Sequence, residues 1–331
     1  MVDKFIKEAQ FYEKHSNGRV KCFLCPHGCE IYEGKVGKCR VRKNLGGKLV
    51  TLNYGKITAS GLDPIEKKPL YHFHPGKKIL SIGSFGCNLK CSFCQNYSIA
   101  HEMPEYIQTT HERIAEISEE QKENIGVAYT YNEPSIWYEF ILETSKRVRE
   151  QGKKNVIVSN GYINREPLLK LTQFIDAMNI DLKAFSNGFY NDICKGVQSP
   201  VLETIQAAKE YCHVEITTLL IEGLNTDREE ITELCKWIAS IDKNIPLHLS
   251  RYYPRYKMKI APTGVETIIN LHQIAKKYLN YVYIGNINGI DNNTYCPSCN
   301  ALIVSRDFEV NIENLKDRAC GNCGKVIEII F

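Results

Sequence analysis

Three cysteines on one short segment are the residues of this chain best suited to chemistry. Cys87, Cys91 and Cys94 follow a C-x3-C-x2-C spacing, and the aromatic Phe93 directly precedes the last thiol. Three thiolates on one loop can hold three irons of a cubane [4Fe-4S] cluster and leave the fourth iron without a protein ligand. The alternatives are a zinc knuckle or three buried structural cysteines. The spacing and the aromatic residue favour the open cluster.

A second cysteine set lies near the N-terminus. Cys22, Cys25, Cys29 and Cys39 follow a C-x2-C-x3-C-x9-C spacing. Four thiolates form a closed metal site, and this spacing is compatible with either zinc or an auxiliary [4Fe-4S] cluster. His27 lies inside the set, where a histidine beside thiolates more often makes an orienting hydrogen bond than ligates the metal.

A third set lies near the C-terminus. Cys296 and Cys299 form one C-x2-C pair, and Cys320 and Cys323 form another. Two such pairs are typical of a zinc ribbon, in which four thiolates surround one ion tetrahedrally. We therefore predict zinc here in preference to an iron–sulfur cluster.

Alternating apolar and amphipathic segments predict the elements that position these thiols. Strands are predicted at 78–83, 126–131, 155–159, 177–182, 213–220, 245–250 and 281–285. Helices are predicted at 111–124, 135–151, 166–175, 200–211, 227–241 and 264–279. Strands that alternate with helices imply βαβ units, a mainly parallel sheet and right-handed crossovers. The predicted fold is thus an α/β barrel or partial barrel, over residues 78–290.

Polar residues recur where the predicted strands end. They are Asn132 and Glu133, Ser159 and Asn160, Asp181 and Lys183, Glu222 and Asn225, and His248 and Arg251. The carboxyl ends of parallel strands line the functional mouth of such a sheet. The cysteine loop follows the first predicted strand directly, so we expect it at the same mouth.

The chain resembles the radical S-adenosylmethionine (radical SAM) proteins of the AmmeMemoRadiSam group, a branch of the subfamily that includes the pyruvate formate-lyase activating enzyme. The matching segments besides the cysteine loop are CFLCPHGCEIYEGKVGKCRVR at 22–42, DPIEKKPLYHFHPG at 63–76, AYTYNEPSIWYEF at 128–140, SNGY at 159–162, NIDLKAF at 179–185, HLSRYYPRYKM at 248–258 and YIGNINGIDNNTYCPSC at 283–299. The resemblance implies a (β/α)6 partial barrel, with the seventh strand added at one edge. It is flanked by a Cys-rich module and linker at 1–77 and a zinc-ribbon-like module at 291–331.

The same resemblance implies which strand-end residues bind the cofactor. Asn132 and Glu133 stand where the activating enzymes have a GGE-like motif that contacts the amino group of SAM, although both glycines are absent. Ser159 and Asn160 stand in the place of a D-x-N-G segment, whose Asp is missing here, so a monovalent cation site is not carried over. Asp181 and Lys183 match a D-x-K segment after the fourth strand, and His248 stands where a late-strand histidine contacts SAM.

The charge of SAM agrees with these assignments. Its sulfonium carries a zwitterionic amino-acid end, which needs a carboxylate or amide for the ammonium and a cation or donor for the carboxylate. Glu133 and Asn132 suit the first task, and Lys183 and His248 suit the second.

The implied function is reductive cleavage of SAM at the [4Fe-4S] cluster to a 5'-deoxyadenosyl radical, which abstracts hydrogen from a substrate. That substrate is a glycyl-radical enzyme in one reading, and a small molecule, RNA or protein residue in another. An electron donor such as ferredoxin or flavodoxin is implied as a partner. The alternative is a non-catalytic zinc or iron–sulfur module that binds nucleic acid or protein.

Composition limits the remaining classes. The net charge of +4 in 331 residues gives no strong preference for nucleic acid. Most of the 14 cysteines lie in tight groups, which favours metals in a reducing compartment over disulfides. No apolar run approaches the roughly 20 residues that cross a bilayer. We therefore expect a cytoplasmic protein that does not interact with a membrane.

Overall fold

An eight-stranded sheet forms the centre of the protein in a computed structural model, which describes residues 6–331. Its strands are β1 (Ala59–Pro64), β2 (Lys78–Gly83), β3 (Asn124–Tyr129), β4 (Lys154–Ser159), β5 (Ala177–Asp181), β6 (His213–Leu220), β7 (Leu247–Arg251) and β8 (Val282–Gly285). Each strand pairs with the next one along the chain. Pairing is parallel from β2 to β8, whereas β1 lies antiparallel on β2.

Six helices connect the parallel strands. They are α1 (His111–Glu120), α2 (Tyr138–Glu150), α3 (Arg165–Thr172), α4 (Ser199–Lys209), α5 (Arg228–Asp242) and α6 (Val265–Ala275). A strand followed by a helix and a neighbouring parallel strand is the βαβ unit, whose repetition curls a sheet into a partial barrel. The predicted fold class is confirmed, and β8 is the additional edge strand.

The N-terminal part is built from short antiparallel strands. One small sheet joins Lys7–Glu8, Lys48–Thr51 and Arg42–Leu45, and a second joins Tyr12–Lys14, Val20–Cys22 and Glu30–Ile31. The segment assigned to the module and linker at 1–77 also contributes β1, so the central sheet begins before residue 78. An antiparallel edge strand is readily added there because it needs only a short connection to its neighbour.

The C-terminal part has its own small core. Strands Thr294–Tyr295, Leu302–Arg306 and Val310–Ile312 form one sheet, and Leu315–Lys316 pairs with Ala319–Cys320. Its buried apolar side chains are Cys296, Ile303, Val304, Cys320, Ile327 and Ile329. An isolated parallel bridge between Phe73 and Ile330 attaches this part to the segment before β2.

Side chains of the parallel strands alternate between the interior of the partial barrel and the helices. In β6, Glu215, Thr217 and Leu219 share one face, and in β7 His248 and Ser250 share the corresponding face. The register pairs Thr217 with His248 and Leu219 with Ser250. The interior is therefore layered, and Ser250 stands one layer nearer the carboxyl ends of the strands than His248.

Within residues 6–331, no helix is long and apolar enough to span a bilayer.

Candidate active site

A cavity of about 390 Å³ opens at the carboxyl ends of the parallel strands. Its volume lies in the range of roughly 300–1,000 Å³ that is usual for small-molecule sites. Every residue that the sequence assigned to the cluster and to SAM lines it, except His248: Cys87, Cys91, Phe93, Cys94, Asn132, Glu133, Ser159, Asn160, Asp181 and Lys183. The exposed side chains of Lys67, Asn96 and Asn286 stand at its rim, so the cavity reaches the surface.

The start of the cysteine loop is held by Asn132. Its Oδ1 accepts a hydrogen bond from Ser84 N at 2.9 Å, and its Nδ2 donates to Gly86 O at 3.0 Å. Asn160 supports the same loop, because its Nδ2 donates to Asn88 Oδ1 at 2.9 Å and lies 3.6 Å from the Sγ of Cys87. Both amides therefore position the backbone around the first thiol.

Glu133 is a buried carboxylate at the wall of the cavity. Its Oε1 accepts hydrogen bonds from Ser135 N at 2.9 Å and Ser159 Oγ at 2.8 Å, and its Oε2 accepts one from Asn160 N at 2.8 Å. Burial raises the pKa of Glu133, although these hydrogen bonds oppose the shift. A carboxylate has about four lone-pair positions. Glu133 thus retains an acceptor position for an ammonium group of a ligand.

Asp181 and Lys183 supply charges of both signs. Lys183 Nζ donates to Asp181 Oδ2 at 2.8 Å and lies 5.8 Å from the centre of the Phe93 ring. Burial lowers the pKa of Lys183, but the negative charges of Asp181, Cys91 and Cys194 together outweigh burial, and the pKa of the lysine is raised. This cation stays available for a carboxylate beside the cluster loop.

The three thiols of the loop have different surroundings. Burial raises the pKa of Cys94 to about 11 and that of Cys87 well above its ordinary value. The pKa of Cys91 is lowered, chiefly by a hydrogen bond from Cys194. A metal cluster binds thiolates, so loading this site with iron releases protons.

Three thiols beside a cavity fit an open cluster better than a closed zinc knuckle. A structural zinc site completes its tetrahedron with protein ligands, whereas Cys87, Cys91 and Cys94 share their cavity with Glu133 and Lys183. The donor set therefore suits a [4Fe-4S] cluster with SAM beside it, and a bound cluster of this kind supplies single electrons.

The structure places His248 below the cavity and not on its wall. Its Nε2 lies 2.6 Å from Glu215 Oε2 in the buried layer beneath the cavity, and its ring packs on Tyr71 and Tyr283. The sequence places His248 on the inward face of a strand, but it does not give the height of the residue along that strand. Ser250, two residues later, is the side chain of β7 that lines the cavity.

Three other strand-end residues have structural roles. Glu222 accepts a hydrogen bond from Gly264 N at 3.3 Å, Asn225 Nδ2 donates to Lys183 O at 2.7 Å, and Arg251 Nε donates to Thr263 O at 2.8 Å. Each fixes a loop between a strand and a helix.

Sequence reasoning missed Tyr131, Lys68 and Ser250 on the cavity wall. Tyr131 has a φ of 71°, in the left-handed region that glycine prefers, at the position of a missing glycine of the GGE-like motif. Its hydroxyl donates to Asp63 at 2.9 Å, and Asp63 also pairs with Lys68 at 2.8 Å. The absent glycine was the signal that pointed to this position.

The C-terminal cysteines form a compact metal-binding group. The four Sγ atoms lie within 4.8 Å of one another, with 3.6 Å between Cys296 and Cys323 and between Cys299 and Cys320. Among residues 6–331, no other set of three or more cysteine, histidine or acidic side chains brings its ligand atoms this close. The N-terminal set instead surrounds a small internal cavity.

Comparison with known proteins identifies the class. The radical SAM superfamily model matches residues 81–238, which contain the cysteine loop and strands β3 to β6. An uncharacterized protein of Methanocaldococcus jannaschii is 40% identical over 338 residues, covering 98% of this chain and 100% of the relative. The chain belongs to the radical SAM superfamily.

Two further similarities are to a second relative and to a solved structure. A second Methanocaldococcus jannaschii protein, named as a glycyl-radical enzyme activating enzyme, is 24% identical over 231 residues, covering 65% of this chain and 92% of that protein. The recognised relation to activating enzymes is thereby confirmed. The crystal structure of Streptococcus suis SuiB bound to S-adenosylmethionine has a TM-score of 0.52 at 15% identity. The match covers 63% of this chain and about half (52%) of SuiB, and it shows a shared fold.

Proposed function

We propose that the protein binds SAM at the mouth of the partial barrel, cleaves it reductively to methionine and a 5'-deoxyadenosyl radical, and uses this radical to abstract hydrogen from a substrate. The supporting observation is that Cys87, Cys91 and Cys94 share one cavity with Glu133 and Lys183. Membership of the radical SAM superfamily supports the same chemistry.

The side chains of the cavity divide the work of binding SAM. Glu133 accepts the ammonium, because one of its acceptor positions remains after three hydrogen bonds. Lys183 binds the carboxylate, and Asp181 orients the lysine through their 2.8 Å ion pair. Asn132 and Asn160 act on the loop itself, since their amides hold its backbone around Cys87.

Substrate access is proposed at the rim of the cavity, where Lys67, Asn96 and Asn286 are exposed. The 24% identical relative named as an activating enzyme supports abstraction from a C–H bond of a protein, while a small molecule or RNA remains an alternative substrate. A ferredoxin or flavodoxin is the proposed source of electrons.

Zinc is the proposed occupant of the C-terminal group. Four thiolates at about 2.3 Å from one ion are separated by about 3.8 Å in a regular tetrahedron. The 3.6 Å separations of Cys296 from Cys323 and of Cys299 from Cys320 agree with that geometry.

All 14 cysteines are free thiols, which supports the proposal of a reducing, cytoplasmic location.

The test is anaerobic reconstitution with iron and sulfide, followed by dithionite and SAM. The proposal expects 5'-deoxyadenosine from the unchanged protein and none above background when Cys87, Cys91 and Cys94 are all replaced by alanine. Cys212→Ser is the matched control, because this thiol lies outside the three sets and donates only to Ala208 O. Absence of 5'-deoxyadenosine from the unchanged protein, with iron bound at the loop, would contradict the proposal.

A further inference from the structure

We propose that the N-terminal cysteines, Cys22, Cys25, Cys29 and Cys39, hold an auxiliary [4Fe-4S] cluster that passes electrons to the cluster at the mouth of the barrel. The assignment of the metal stands on the geometry of the N-terminal set alone. The electron-transfer role rests on the proposed function.

The spacing of the sulfur atoms favours a cluster over a single ion. The four cysteines line one internal cavity, yet they are not among the groups whose ligand atoms all lie within 4.8 Å of one another. Around a zinc ion the four sulfurs are separated by about 3.8 Å. In a cubane each thiolate binds a different corner, so the sulfurs stand farther apart. The same chain thus contains a compact four-thiol group at one end and a wider one at the other.

Arg42 provides a second, independent observation. This side chain is 1% exposed and lines the cavity between the four cysteines, and its Nε has no hydrogen-bond partner. Its Nη2 is used by Glu139, at 2.8 and 3.0 Å from the two carboxylate oxygens. A buried donor without a partner is costly. A cluster sulfide or thiolate is an acceptor of the kind that this nitrogen lacks, and the guanidinium offsets the negative charge of four thiolates.

His27 connects the two cysteine sites. It lies two residues after Cys25, and its Nε2 is 2.7 Å from Asn88 O, directly after Cys87 in the cluster loop. Lys38 Nζ lies 3.2 Å from the Nδ1 of His27. Since an ammonium only donates, the hydrogen-bond network assigns the ring proton to Nε2, which donates to Asn88 O. One hydrogen bond therefore joins the segment of Cys25 to that of Cys87.

Gly86 provides a second contact between the sites. A Cβ at this position would stand 2.8 Å from Cys39 O and 2.7 Å from Val41 Cγ1, and the residue has a φ of 90°. Only glycine allows the backbone before Cys87 to pack this closely on Cys39. Both contacts end beside Cys87. An electron can therefore pass between the two sites through a few covalent bonds and either the His27–Asn88 hydrogen bond or the contact of Gly86 with Cys39.

The redox step transfers one electron and changes no other bond. A low-potential one-electron carrier of the ferredoxin or flavodoxin class reduces the N-terminal cluster from [4Fe-4S]2+ to [4Fe-4S]+. The N-terminal cluster returns to the 2+ state as the cluster at Cys87, Cys91 and Cys94 gains the electron. Exposed Lys35, Lys38 and Arg40 lie on the chain between the cysteines of the N-terminal set or next to the last one, which suits a carrier with an acidic surface.

Metal content tests the assignment. The triple alanine variant at Cys87, Cys91 and Cys94, reconstituted anaerobically, is expected to retain about four iron atoms per chain. After reduction it should give an electron paramagnetic resonance signal that SAM does not change. Adding Cys22→Ala and Cys25→Ala should remove that iron. A triple variant that binds two zinc ions and no iron would overturn the proposal.

The unchanged protein provides a second measurement that does not depend on the folding of the triple variant. It should contain about eight iron atoms per chain, and C22A/C25A about four. About four iron atoms in both proteins would overturn the assignment.

The relay is tested by His27→Ala, with His27→Gln as the conservative variant and the exposed His15→Gln as the matched control. Photochemically reduced flavodoxin is mixed with each protein without SAM, and reduction of the mouth cluster is followed by freeze-quench spectroscopy. His27→Ala should slow this reduction several-fold at unchanged iron content, the Gln amide should restore part of the rate, and His15→Gln should have no effect. Equal rates for all four proteins would overturn the relay.

The two proposals fail separately. Iron at the N-terminal set together with absence of SAM cleavage would contradict the proposed function and leave the metal assignment standing. SAM cleavage by a protein with zinc at that set would contradict the metal assignment and leave the proposed function standing.

Discussion

Two buried glutamates in the same partial barrel have opposite environments. Glu215, beneath the cavity, accepts four hydrogen bonds, from Tyr71 N, His72 N and the rings of His213 and His248, at 2.6–3.0 Å. Glu133, at the mouth, accepts three. A carboxylate has about four lone-pair positions. Glu215 therefore uses all of its acceptor positions, whereas Glu133 keeps one of them.

The pKa shifts follow the same division. Burial raises the pKa of Glu133, whereas for Glu215 the effect of burial is outweighed by His213 and His248, and the pKa is lowered. A saturated carboxylate binds neighbouring parts of its own chain together. A carboxylate with a spare acceptor position, beside a cavity, is suited to a ligand. Burial and charge alone therefore do not distinguish a structural residue from a binding one.

The largest effect on stability is expected for Glu215→Gln. The amide can neither carry the charge nor accept from four donors, so His248 and His213 lose a buried partner. Loss of hydrogen bonds to a buried charged group costs about 1.5–3 kcal/mol each, which urea unfolding measures. Glu222→Gln is the matched control, since Glu222 is an exposed strand-end glutamate and the Gln carbonyl can still accept from Gly264 N. Equal stability of the two variants would show that the hydrogen bonds of Glu215 do not stabilise the fold.

Acid should remove the stabilisation that the ionised Glu215 gives to the fold. A carboxyl whose folded-state pKa is depressed stabilises the fold above its ordinary value of 4.5 and loses that effect as the pH falls through the folded value. The difference in unfolding free energy between the unchanged protein and Glu215→Gln should therefore be constant near neutrality and shrink below pH 4.5. Unfolding curves over this range measure it, and a difference independent of pH would contradict the ionised Glu215.

A smaller effect, on binding, is expected for Glu133→Gln. Loss of one hydrogen bond to a charged group costs about 1.5–3 kcal/mol, so the Kd for SAM should rise roughly 10- to 100-fold. Equilibrium dialysis of the reconstituted protein measures this Kd, with Glu222→Gln again as the control. Unchanged affinity in Glu133→Gln would show that the Glu133 carboxylate does not bind SAM.

The smallest effect on SAM binding is expected for His248→Gln. This residue lies one layer below the cavity, and the Gln amide can still donate to Glu215. Its Kd for SAM should equal that of the unchanged protein, while Lys183→Met, at the mouth, should bind SAM more weakly. If His248→Gln weakened binding as much as Lys183→Met, the layer assignment of His248 would be wrong.

Most of the fold could be predicted from the sequence, because strands buried on both sides and amphipathic helices leave strong patterns. The bounds of β2 and β6 agree with the predicted segments 78–83 and 213–220. The cysteine loop could be placed at the mouth because it directly follows β2. The C-terminal group could be predicted as a metal site because each C-x2-C pair places two thiols on one turn.

The layers of the interior could not be predicted in the same way. Alternation in β7 identifies the inward face, but the height of His248 depends on the register with β6 and on Glu215, which lies more than thirty residues earlier. Tyr131 was missed for a related reason, since a φ of 71° is not a preference of tyrosine and its hydroxyl contacts Asp63, 68 residues earlier in the chain. Both features depend on tertiary pairing.

We propose that SAM binds at the cluster of Cys87, Cys91 and Cys94, beside Glu133 and Lys183. The most direct test of this binding is the electron paramagnetic resonance spectrum of the dithionite-reduced C22A/C25A protein, recorded with and without SAM, in which the loop provides the iron–sulfur signal. We predict that SAM shifts the spectrum, because it binds at the iron without a protein ligand. A spectrum that is identical with and without saturating SAM would contradict the account.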